Sequence, residues 1–218
     1  MRTDISPVAR DRQSLAEHAY AELRDRIVSL TLPPGAPLVE DALMAELRVG
    51  RTPIREALKR LALEDLVAIY PRRGTFVSEI EITDLAQIAD VRRQLEGHAA
   101  YRAAQNATAA ERDEADVLIE ELGAPQLTAE ALMGLDARVH RFIYRCSGNP
   151  YLASTLDRYL NLSMRIWHRV LDRLPHLEGS VFEHRELLAA VRDGDAERAR
   201  ELASAHVERF EREIRTVL

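Results

Sequence analysis

A chain of 218 residues, 46% of them hydrophobic, holds enough apolar material for one or two packed domains. Its one cysteine, Cys146, rules out an internal disulfide and suits a reducing, cytoplasmic setting. A net charge of −6 argues superficially against a polyanionic partner, while the opening M-R-T-D-I-S-P-V-A-R lacks the apolar run of a signal peptide and no stretch approaches a membrane span.

In chain order, Tyr20, Leu23, Ile27 and Leu30 recur at helical spacing, which predicts a first helix from about Leu15 to Leu30, stopped by Pro33-Pro34-Gly35. Val39, Leu43 and Leu47, each four apart, predict a second. Ile54, Ala57, Leu58 and Leu61 form the single apolar stripe of a third, with Thr52 placed to cap it and Pro53 in its first turn. The opposite face carries Arg55, Lys59 and Arg60, and Arg51 stands just before the cap. Between Arg48 and Arg60 lie five basic residues and one acid, Glu56, a local net of +4. Such a cluster can neutralise phosphates, and arginine can also read guanine; a solvated helix face is the plain alternative. Val67 to Tyr70 and Thr75 to Val77 are β-prone runs around Pro71-Arg72-Arg73-Gly74, a hairpin signature.

Three helices and a hairpin outline a winged helix-turn-helix over residues 8–78, in which one helix enters a DNA major groove and the wing touches flanking backbone. The charge balance agrees once the chain is divided. Residues 1–80 hold twelve basic and twelve acidic side chains; residues 81–218 hold 18 and 24. The surplus acid lies outside the proposed reading surface.

After a linker at 79–83, the remainder, 84–218, reads as helix throughout. Breaks near Asn106-Ala107-Thr108, Gly123-Ala124-Pro125, Gly148-Asn149-Pro150, Leu174-Pro175 and Asp193-Gly194-Asp195 divide it into about six helices, at roughly 83–105, 108–122, 127–146, 150–173, 179–193 and 195–217. Short connections favour an all-α antiparallel bundle, so the chain as a whole is mostly α. Its chemically loaded residues are Asp136, His140, His184 and His206. Asp136 and His140 are four apart and share a helix face. His184 and His206 each fall near the middle of a predicted helix. One carboxylate oxygen and three imidazole nitrogens suit a divalent transition ion such as zinc, nickel or manganese. Surface or packed core histidines are the plain alternative, and His18, His98, His168 and His176 are read that way.

The strings L-P-P-G, R-T-P-I-R-E-A-L and R-R-G-T-F-V, in this order and spacing, resemble the GntR superfamily of bacterial transcription regulators. The second half resembles the FCD ligand domain of its FadR subfamily. The resemblance covers nearly the whole chain and implies operator contacts from Arg51, Thr52, Arg55 and Gly74, beside which Lys59 and Arg73 extend the basic surface. Relatives usually carry glycine and then serine or threonine where this chain has Arg48 and Gly50, and often arginine where it has Asp41. The FCD pattern of D-x-x-x-H, followed by one histidine on each of the last two helices, implies Asp136, His140, His184 and His206 as metal ligands. It also implies a small carboxylate effector on that metal, with Arg92 of V-R-R-Q-L-E-G-H facing it; a surface pair of Arg92 with Glu96 is the alternative. Trp167 and Tyr144 are placed to line the cavity or simply to fill core. The implied whole is a cytoplasmic, homodimeric, ligand-responsive regulator on a palindromic operator. A purely structural metal with a separate ligand site, and a metalloenzyme fused to a DNA-binding domain, are the rival readings.

Overall fold

The computed structural model describes residues 7–81, 83–125, 128–173 and 183–217. Among these are nine α-helices and one antiparallel hairpin, divided between two units, Met1–Ile80 and Glu81–Leu218.

The first unit contains α1 (Pro7–Val28), α2 (Glu40–Leu47), α3 (Arg51–Leu63), β1 (Val67–Tyr70) and β2 (Gly74–Val77). Helix α1 stops two residues short of the expected end because Leu30 turns into the left-handed region, with φ 60°. Its buried Leu23 and Ile27 pack with the buried stripe of α3, namely Ile54, Ala57, Leu58 and Leu61. The start of α3 corrects the expected cap. Gly50 takes the cap position in extended backbone without a side-chain hydrogen bond, so Thr52 lies inside the first turn beside Pro53. The turn from α2 places Arg48 at φ 54°, where glycine would be less strained.

The hairpin runs in the register Val67↔Val77, Ala68↔Phe76, Ile69↔Thr75 and Tyr70↔Gly74. Gly74 sits at φ 113°, a conformation that side chains rarely adopt, and so lets the chain re-enter β2 immediately after Arg72-Arg73. Val67 and Val77 anchor the base in the core, while Ile69, Tyr70 and the tip stand in solvent.

The second unit contains α4 (Asp84–Asn106), α5 (Ala109–Leu122), α6 (Ala129–Cys146), α7 (Pro150–Val170) with a 3-10 turn at Leu171–Arg173, α8 (His184–Asp193) and α9 (Ala196–Val217). Four starts are capped by side chains: Thr108 in a capping box with Glu111, Thr128, Asn149 ahead of Pro150, and Asp195, whose Oδ1 accepts from Arg198 N at 3.1 Å. Helix α4 is the axis of the bundle and packs against α6, α7, α8 and α9. Its closest approach is to α9. A Cβ added at Gly97 would stand 2.4 Å from Ser204 Oγ, and Ala99, Ala100 and Ala103 continue the small buried surface. The expected break at Leu174-Pro175, the first residues of the helix expected at 179–193, and His176 lie outside the described residues. No helix among the described residues is long and apolar enough to cross a membrane.

Candidate metal centre and nucleic-acid interface

Helix α6 is strongly amphipathic, and its buried face carries Asp136 and His140 one turn apart. Helix α9 presents His206 from near its middle. His184 is the first residue of α8, a correction to the mid-helix position expected from sequence. All four side chains are buried, and each contributes one ligand atom to a group lying within 4.8 Å of one another. The Nε2 atoms of His140, His184 and His206 lie 3.8, 3.7 and 3.9 Å from the same oxygen, Asp136 Oδ1.

These separations are too long for hydrogen bonds. They are close to what a shared centre demands, because ligand atoms bonded at roughly 2.0–2.2 Å stand about 3–4 Å apart around one ion. Asp136 Oδ1 is buried without a hydrogen-bond partner among the described residues, although a buried carboxylate oxygen ordinarily has one. Three imidazole nitrogens and one carboxylate oxygen are the donor set of a divalent transition ion, so the residues fit such a group. Burial, with the neighbouring His140, draws the His206 imidazole down to about 4 against the opposing pull of Asp136 and Glu96, so the ring is neutral at pH 7 as a metal ligand must be.

The sequence reading missed Glu96. Its Oε2 lies 2.7 Å from His140 Nδ1 and its Oε1 accepts from Arg92 Nε at 2.6 Å. Burial works against ionising Glu96, but Arg92 and His140 outweigh it and hold the carboxyl well below the ordinary carboxylate range. An ionised carboxylate only accepts, so His140 carries its proton on Nδ1 and turns an Nε2 lone pair to the cluster. Arg92 is therefore not in a surface pair: it and Glu96 are both buried. The signal for both was present. Leu85, Ile88, Arg92, Glu96, Ala99 and Ala103 follow one helical stripe of α4, so the two charges sit on the face that its apolar neighbours bury.

Arg92 also lines a cavity of about 10 Å³ with Asp136, His140, Ser163, Trp167 and His206, closed by apolar groups that include Met164 and Phe210. Of the two aromatic candidates, Trp167 reaches this lining. Tyr144 is buried beside His140, its hydroxyl 3.5 Å from Nδ1. His18 and His98 are exposed and His168 is half-buried.

In the first unit, Arg51, Thr52, Arg55 and Lys59 are exposed along α3, and Arg73 and Gly74 are exposed at the hairpin tip. Thr52, released from capping, is an exposed hydroxyl in the first turn. Two of the arginines are engaged within the unit: Glu40 accepts from Arg55 Nε with both oxygens at 2.9 Å, and Asp41 accepts from Arg51 at 2.7 Å. Both acids lie in the first turn of α2. Surface pairs of this kind are weak and exchange readily for phosphate.

Comparison with known proteins assigns these parts. Residues 15–77 match the family described as bacterial regulatory proteins, gntR family, and residues 87–209 match the FCD domain. An HTH-type transcriptional regulator in an unstable DNA locus of Streptomyces ambofaciens is 34% identical over 203 residues, covering 86% of this chain and 80% of that protein. The HTH-type transcriptional repressor RspR of Escherichia coli K12 is 25% identical over 222 residues, covering all of this chain and 94% of the relative. Among solved structures, a GntR transcriptional regulator from Rhodococcus sp. RHA1 superposes with a TM-score of 0.74 at 25% identity, covering 94% of this chain and 99% of that one. E. coli McbR/YncC shares the fold, with a TM-score of 0.78 at 23% identity over 93% and 97% of the two chains. The family consists of regulators rather than enzymes, which removes the metalloenzyme reading. The chain belongs to the GntR family of DNA-binding transcription regulators and carries an FCD domain.

Proposed function

We propose that this regulator senses a small carboxylate at a divalent metal site formed by Asp136, His140, His184 and His206, and transmits its binding to operator affinity. The observation that carries the reading is the convergence of three Nε2 atoms from three helices, at 3.7–3.9 Å, on Asp136 Oδ1, which has no hydrogen-bond partner among the described residues. Zinc, nickel and manganese all suit this donor set. When bound, the ion supplies a positive centre with coordination positions open to a ligand oxygen. The residues around it supply the rest of the selectivity. Arg92 and Glu96 cancel one another in formal charge, which leaves the carboxylate of Asp136 as the uncompensated group. A divalent ion turns that balance positive by one, and a single carboxylate then neutralises it. The Nε of Arg92 is taken by Glu96, so its contact with the effector falls to the terminal nitrogens.

On the DNA side, Arg51, Thr52, Arg55 and Lys59 meet the major groove and Arg73 and Gly74 the flanking backbone, after the arginines exchange Glu40 and Asp41 for phosphate or base edges. The helical domain pairs two copies on a palindromic operator. Repression is the sense of control assigned, by analogy with the E. coli relative named a repressor. The effector acts by binding more tightly to one of two conformers that differ in operator affinity.

Elemental analysis of untagged protein tests the site: wild type should carry about one equivalent of ion and His184→Ala essentially none. Equal content in both would overturn it. Operator binding by fluorescence anisotropy across salt concentrations tests the interface, because Arg55→Ala should flatten the salt slope or relax specificity by about 1–3 kcal/mol. A second reading, an ion that only staples α6, α8 and α9, draws on the cavity volume of about 10 Å³, which holds little more than one water-sized group. Chelation separates the two: loss of fold supports the staple, and loss of carboxylate response in a folded chain supports the sensor.

A further inference from the structure

The walls of the cavity divide unevenly. One side holds the metal-ligand cluster and Arg92; the other is the stripe Leu160, Ser163, Met164 and Trp167 of α7, at helical spacing. Trp167 is 2% exposed, and its Nε1–H has no hydrogen-bond partner among the described residues. A buried indole N–H ordinarily finds an acceptor, and leaving it unmet is unfavourable. The ring is held edge-on against Phe210, with centroids 5.0 Å apart and planes at 69°. The Trp167 ring, its N–H unmet, thus forms part of the lining of a small space that also contains Arg92 and Asp136.

We propose that the indole N–H of Trp167 is the specificity-determining donor of this site. The effector is then a short carboxylate carrying a second acceptor, whether hydroxyl, oxo or further carboxylate oxygen, and is bound in preference to a plain aliphatic acid. The inference rests on the carboxylate-sensor reading above and adds to it the residue that discriminates among carboxylates. A site with an idle donor rejects a ligand that cannot satisfy it more strongly than it rejects one of slightly different size. The space as it stands holds about one water-sized group, so a carboxylate of a few carbons enters only as the wall moves, a movement assigned to Met164, the most adaptable wall group.

Trp167 is the only tryptophan in the chain, so a single indole N–H resonance reports on this site. The experiment uses the full metal-loaded chain with 15N-labelled tryptophan, titrated with malate, lactate and butyrate. Malate or lactate should bind and shift the indole proton downfield, whereas butyrate should bind at least tenfold more weakly and leave the proton near its free position. In Trp167→Phe, by calorimetry, affinity for the hydroxy acid should fall about tenfold while that for butyrate stays within about twofold. Carboxylate binding without an indole response, or equal losses for both acids in Trp167→Phe, overturns the role of Trp167 and leaves the carboxylate sensor standing. Failure of all three probes to bind metal-loaded protein overturns both. The resonance of the wild-type chain decides the question even where the variant folds poorly.

Discussion

Replacing Glu96 by glutamine tests the buried network most directly. Its carboxylate is 3% exposed and holds two partners, Arg92 Nε at 2.6 Å and His140 Nδ1 at 2.7 Å. Glutamine keeps the shape and one acceptor oxygen but removes the charge, which strands the Arg92 guanidinium in the interior. Breaking one side of a buried pair typically costs about 3–5 kcal/mol, an expected fall of roughly 10 °C in the melting midpoint for a chain of this size. One oxygen cannot serve both Arg92 Nε and His140 Nδ1, so the orientation of His140 weakens as a separate effect: metal affinity should drop about 10- to 100-fold, as for other carboxylates placed behind a ligating histidine. Differential scanning calorimetry measures the first, and competition with a chromogenic chelator measures the second. The pair Arg92→Met with Glu96→Gln then separates charge from orientation. Removing both charges should recover most of the stability, while the amide oxygen, a weaker acceptor than a carboxylate, should restore the metal affinity only in part. A Glu96→Gln protein that melts and binds metal like wild type would refute the argument.

Three further perturbations probe the DNA-facing arginines, the contact of α4 with α9 and the buried imidazole cluster. Glu40→Gln frees Arg55 from both carboxylate oxygens, so operator affinity by anisotropy should rise by roughly two- to fivefold at low salt; unchanged or weaker binding would show that Glu40 does not compete with DNA. Gly97→Ala sets its helix-propensity gain of about 1 kcal/mol against a Cβ at 2.4 Å from Ser204 Oγ, an overpacking penalty of about 1–3 kcal/mol. The single variant should lower the unfolding free energy and the addition of Ser204→Ala should restore it, whereas additive losses would remove the close contact. The pH dependence has a fixed sign. His206 binds its proton at about 4 in the folded chain against an ordinary value of 6.5, so the unfolded state takes up more protons in that window. Stability of the metal-free protein is then complete above pH 6.5 and falls by about 3 kcal/mol as pH drops to 4. Urea unfolding at pH 7, 5.5 and 4 with a constant midpoint would contradict this.

Local periodicity alone makes most of the fold legible. The stripe Ile54, Ala57, Leu58 and Leu61 defines α3 because only that face meets α1, and the hairpin was marked by Pro71-Arg72-Arg73-Gly74 between two β-prone runs. The missed details have local causes too. Thr52 is a good capping residue by type, but Gly50 reaches the extended conformation two residues earlier and α3 begins at Arg51, which carries Thr52 into the first turn. The expected end of α1 failed because its apolar period continues through Leu30 while the backbone there has already turned left-handed. Periodicity reports which side chains face the core and does not report where the hydrogen-bond ladder stops.

The candidate centre divides in the same way. Asp136 and His140 were legible as a pair because four residues on a helix return to one face, and that relation needs no partner element. Their meeting with His184 and His206 depends on α6, α8 and α9 converging, for which no local pattern speaks; it entered the sequence reading through the family resemblance. Glu96 was harder still. A spacing of i, i+4 between arginine and glutamate is the pattern of a solvated helix pair, and it becomes a buried clamp only because α4 is covered by α6, α7, α8 and α9. Yet the burial had a trace, since Arg92 and Glu96 interrupt a stripe whose other members are leucine, isoleucine and alanine. Charges on a packing stripe must be paired or ligating, because nothing else offsets their desolvation. Here Arg92 answers Glu96 and Glu96 answers His140. The single charge left without an answer among these residues is Asp136, and it lies where three imidazole nitrogens converge.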